Sequence, residues 1–126
     1  MSTNEKNIDM MEQHTNLGEV KIADEVVAII AGLAATDVKG VDSLAGNVTA
    51  ELVGKLGMKN LSKGVKVDVL ENTVTVSLAL TLKYNHNIMD VSKQVQQKVK
   101  TSIENMTGLK VADVNIKVAG VEMESL

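Results

Sequence analysis

The sequence has no cysteine, tryptophan or phenylalanine, and Tyr84 is its single aromatic residue. Arginine is missing as well: all thirteen basic residues are lysines. Each absence removes something. Without cysteine there is no disulfide framework and no thiolate metal site, and a reducing cytoplasm is the easier setting. Without arginine the chain lacks the bidentate fork used for phosphates and base edges. Without aromatics it lacks the stacking platforms of single-strand binders. A net charge of -3 adds no pull towards nucleic acid, which is therefore not the expected partner. The polar start, MSTNEKNIDMMEQHTN, has no apolar segment of the secretory kind, so the expected location is cytoplasmic.

Long apolar runs are also scarce. The one that stands out is Val26–Ala35, VVAIIAGLAA, ten residues without a polar side chain. A membrane span needs about 20 apolar residues, so this run is too short to cross a bilayer. As a helix it is apolar nearly all round, which calls for cover on more than one side. Val26, Ile29, Ile30 and Leu33 form one helical stripe and are expected to pack on a sheet. Val27, Ala28, Ala31, Ala34 and Ala35 are left to face the 44–61 segment or a partner. Asp24 and Glu25 suit the first turn of that helix, and Lys39-Gly40 mark its expected end.

Alternation identifies the strands. Val65, Val67 and Val69 alternate with Lys66 and Asp68. After a turn at Glu71-Asn72, Val74, Val76, Leu78, Leu80 and Leu82 alternate with smaller and more polar residues. A second helix is predicted from an Asn87 cap, with the stripe Ile88, Val91, Val95, Val99, Ile103 and Met106, ending at Gly108. A short strand is expected at Glu19–Ile22, a short helix at Thr49–Lys55 and a last strand at Asp113–Ala119. The order β-α-(short α)-β-β-α-β predicts an α+β fold, a two-layer sandwich that is ferredoxin-like or, with a marginal first strand, KH-like. One domain is expected over 17–121, between a disordered acidic and polar tail at 1–16 and a short tail at 122–126.

Candidate chemistry is thin. His14 and His86 have no partner at metal-ligand spacing, so no metal site is read. The serines sit in no nucleophile elbow, and Asp24-Glu25 is accounted for by the helix start. No catalytic residue and no cofactor is assigned. Gly54-Lys55-Leu56-Gly57 has the GxxG form of a KH loop, but a four-residue match with two free positions is weak. The most basic stretch carries Lys55, Lys59, Lys63 and Lys66, the candidate surface for an anionic partner. The polar sheet face (Lys66, Asp68, Thr75, Ser77, Thr81, Asn115 and Lys117) has no aromatics to stack bases, which leaves a solvated face or a protein-docking surface.

Four segments in this order, GEVKIADEVVAIIAGLAA, VKGVDSL, NLSKGVKVDV and TGLKVADVNIKVAGV, resemble the alkaline-shock-protein family of small Gram-positive proteins. The resemblance covers about residues 18–121. It implies a non-enzymatic protein of cell-envelope homeostasis and stress, acting through protein partners; the over-apolar first helix adds the expectation of self-association. The resemblance also implies recruitment to the inner membrane face by a separate anchor protein, without insertion of its own. The alternatives are a regulatory binding protein of fatty-acid synthesis, which differs in partner, and a weak RNA-binding module using Lys55, Lys59 and Lys63. The acidic tail and the missing arginine depart from the family pattern and leave its branch open.

Overall fold

The computed structural model describes residues 10–44 and 63–123, with residues 10–15 described by their backbone alone. The elements are β1 (Met10–Thr15), β2 (Gly18–Ala23), α1 (Asp24–Thr36), β3 (Val41–Leu44), β4 (Val65–Leu70), β5 (Thr73–Lys83), α2 (Ile88–Thr107) and β6 (Lys110–Glu122). The expected short helix at Thr49–Lys55 and the Gly54–Gly57 loop lie outside the described residues.

The most regular alternation in the sequence becomes the centre of the main sheet. β5 pairs antiparallel with β4 over Thr73–Leu78 and with β3 over Leu80–Leu82, so those two strands share one of its edges. Its other edge pairs in parallel with β6 along its whole length. The parallel pair requires a crossover, which α2 supplies. Val74, Val76, Leu78, Leu80 and Leu82 of β5 are all buried on one face beneath the helices. The residues between them face the other way, where no described helix lies. This is the two-layer α+β sandwich, with a mixed sheet and both helices on one side.

α2 follows its sequence signals closely. Asn87 accepts a hydrogen bond from the Asp90 backbone N–H at 3.0 Å, and Gly108 ends the helix in a left-handed conformation at φ 77°. Val91, Val95, Val99 and Ile103 are buried, while Ile88 and Met106 at the stripe's two ends are exposed.

α1 is oriented opposite to expectation. Val27, Ala28, Ile30, Ala31, Ala34 and Ala35 are buried, whereas Val26 and Leu33 are 46% and 37% exposed. Of the predicted sheet-facing stripe only Ile30 is buried. The reason is space: α1 packs on both the sheet and α2, and alanines let a helix approach two neighbours at once. The helix also stops earlier, at Thr36, whose hydroxyl donates to the Gly32 carbonyl at 3.0 Å. Gly40 does adopt a left-handed φ of 103°, but in the turn entering β3 rather than as the helix cap.

Six residues of the stretch expected as a tail, 1–16, lie in a strand. Met10–Thr15 form β1, which pairs antiparallel with β2 around a two-residue turn at Asn16-Leu17. The expected strand at Glu19–Ile22 thus exists, as part of β2, but in a separate two-stranded sheet. Backbone pairing across that tight turn fixes β1, which has no apolar alternation of the kind used to read strands. At the other end β6 runs to Glu122, longer than the predicted Asp113–Ala119 and into the expected 122–126 tail.

Candidate functional site: the open face of the sheet

β4 and β5 form a hairpin whose tight turn puts Glu71 at φ 58°. Its register sets Lys66 opposite Ser77, and the parallel register of β6 sets Asn115 beside Ser77. One step along, Ala79 stands beside Lys117. With Lys63, which leads into β4, these residues border a depression of about 350 Å³ on the face away from the helices. Lys63, Lys66 and Lys117 are all at its rim, and all three are exposed. The neighbouring row is acidic, Asp68 and Asp113 flanking Thr75. The face therefore has a positive and a negative end.

Two of the four candidate lysines, Lys63 and Lys66, come together here. Lys55 and Lys59 lie outside the described residues. Lys117 belongs with them, although the sequence places it only on the polar sheet face. It is 51 positions beyond Lys66 in the chain, and only the strand register joins them. That strand pairing is the missing signal.

Chemistry of other kinds finds little support in the geometry. Among the described residues no group of three or more His, Asp or Glu side chains could hold a metal ion. His86 is half-buried, with Nδ1 3.2 Å from the Tyr84 carbonyl oxygen. Asp37 is the one described side chain with a clear electrostatic shift. The hydrogen bond donated by Lys98, reinforced by its charge, holds that carboxyl below its ordinary value. A second depression of about 440 Å³, between α2 and β6, is lined by Lys93, Gln96, Gln97 and Lys100. There the Gln96 amide is already committed to the Val114 carbonyl at 3.0 Å. No helix among the described residues is long and apolar enough to cross a membrane.

The class that the fold defines is a two-layer α+β sandwich, with lysines at one end of the sheet face that no described helix covers. Sequence comparison supplies the family. Residues 12–123 match the model of the alkaline shock protein 23 family, described as having a cell envelope-related function, and the chain belongs to that family. The chain is 34% identical over 118 residues to the uncharacterized protein YqhY of Bacillus subtilis, covering 94% of this chain and 87% of that one. It is 33% identical over 115 residues to YloU of the same organism, covering 90% and 96%. An uncharacterized Streptococcus pyogenes protein is 33% identical over 109 residues, covering 86% and 82%. Among solved structures, a MamM CTD variant gives a TM-score of 0.48 at 9% identity, over 81% of this chain and 96% of that one.

Proposed function

We propose that this protein serves the cell envelope as a non-enzymatic docking module that self-associates and binds an acidic segment of a membrane-anchored partner. The observation that supports this reading is the convergence of Lys63, Lys66 and Lys117 on one shallow depression of the sheet face that no described helix covers. A rigid sheet holds three flexible cations around a floor of small residues, an arrangement suited to an extended chain bearing carboxylates. Surface lysines contribute on-rate and selectivity more than raw affinity, so the contact should be reversible and salt-sensitive. The protein itself stays in the cytoplasm and reaches the membrane through that partner.

Affinity capture from intact cells, comparing the wild-type chain with Lys63→Glu/Lys66→Glu, tests the reading. Expected is an envelope protein with an acidic cytoplasmic segment that is captured by the wild type and lost with the double variant. Fractionation should move the variant out of the membrane pellet. Equal capture and equal sedimentation of both proteins overturn it.

A further inference from the structure

Among the described strands β6, 13 residues long, lies at an edge of the main sheet, and its two halves are treated differently. In the first half, α2 closes the edge with side chains. Glu104 Oε2 accepts the Val111 backbone N–H at 3.0 Å, and Gln96 Nε2 donates to the Val114 carbonyl at 3.0 Å. Such capping keeps an edge from pairing with another chain. No described side chain does the same for the second half. The strand also runs out from under the helices there. On its inner face, exposure climbs from 3% at Val111 and 9% at Val114 to 44% at Val121. Met123, just beyond, is 60% exposed.

A bulge settles which side chains share a face in this half. Leu80 stands beside Val118 but Thr81 stands beside Gly120, so Ala119 is an extra residue. A Cβ on Gly120 would lie 3.8 Å from Thr81 Oγ1, which places Gly120 on the open face with Thr81. Lys117 beside Ala79 and Glu122 beside Lys83 are then on the open face too, while Val118 and Val121 face the helix side. Without the bulge, Lys117 and Glu122 would lie on opposite faces.

We propose that residues 117–122 of β6 pair antiparallel with the same segment of a second copy, joining the two main sheets into one. This rests on the self-association reading above and names its interface. A two-fold axis between Ala119 and Gly120 sets Lys117 opposite Glu122 of the second copy, and Val118 opposite its Val121. The ion pair and the valine pair each occur twice. Both of these opposed pairs have their side chains on one face, as antiparallel strands require, and only the bulge makes that possible. The charges complement one another in a self-register, which argues for a second copy over an unrelated strand. The sealed first half confines the pairing to this stretch.

The test is sedimentation equilibrium of the purified full chain, without partner, over a wide concentration range. The wild type should be a dimer. Lys117→Glu and Glu122→Lys should each weaken it about tenfold, because like charges then oppose each other twice. The combined swap Lys117→Glu/Glu122→Lys should restore it. Circular dichroism checks that the variants fold, and slower amide exchange of residues 117–122 at high concentration gives a readout without substitution. A monomer at every concentration overturns both this interface and self-association. A dimer indifferent to the single reversals, or not restored by the swap, overturns the interface alone.

Discussion

Lys98 of α2 places its ammonium 2.7 Å from the carboxylate of Asp37, the residue that caps the end of α1. It ties together two helices that also pack on one another. Because the Asp37 carboxyl is held below its ordinary value of 3.8 in the folded state, the pair contributes fully above that value. The contribution disappears as pH falls through the depressed one. Both side chains are substantially exposed, so the effect is small and weakened by salt. Lys98→Ala should raise the Asp37 titration midpoint, measured by carboxyl NMR, back to the ordinary range. An unchanged midpoint contradicts the pairing.

Gly40→Ala should be among the costlier single-atom additions in this chain. Its φ is 103°, and an added Cβ would meet Val91 Cγ2 at 2.8 Å and the His86 ring at 3.1 Å. The backbone strain and the crowding of α2 together should cost about 2 kcal/mol. Urea unfolding measures it; a loss within error of zero refutes the tight approach of this turn to α2.

The orientation of α1 is tested by two substitutions that the sequence-based stripe ranks the other way round. Leu33, 37% exposed, should tolerate Leu33→Ala with a loss under about 1 kcal/mol. Ala31, fully buried, should not accept Ala31→Leu without a loss of about 1–3 kcal/mol. Thermal denaturation of both variants decides, and the reverse ranking would restore the original orientation.

Ser43 is 1% exposed, and its Oγ has no hydrogen-bond partner among the described residues. An orphaned buried hydroxyl costs free energy, so removing it should help. Ser43→Ala is expected to stabilise the fold by up to about 1 kcal/mol, read from the urea midpoint. A marked destabilisation means that this hydroxyl has a partner.

Legibility in the sequence follows the contrast between residues. α2 is readable from its cap to its last turn because Val91, Val95, Val99 and Ile103 stand out against lysines and glutamines. β4 and β5 are readable for the same reason at period two. In α1 that contrast vanishes. With ten apolar residues in a row, periodicity identifies a helix but not which side turns inward, and the larger side chains of Val26 and Leu33 point to the wrong face. Size, not hydrophobicity, decides it. β1 is hidden because its evidence is pairing with β2 rather than alternation. The candidate site is half legible: Lys63 and Lys66 are neighbours in the chain, but Lys117 reaches them only through two strand registers.

β5 pairs with every other strand of the main sheet, and this has a kinetic meaning. Its hairpin with β4 is local and can form early, but pairing with β3 must close the long stretch between Leu44 and Val65, and pairing with β6 must await α2. The central strand therefore completes its bonding only when the whole domain has assembled. Its amides should exchange with solvent only through global unfolding, while those of β1 and β2, in a separate sheet, should exchange through far smaller openings. In that sense β5 works as the domain's clasp, and no part of the main sheet can leave it without loosening the rest.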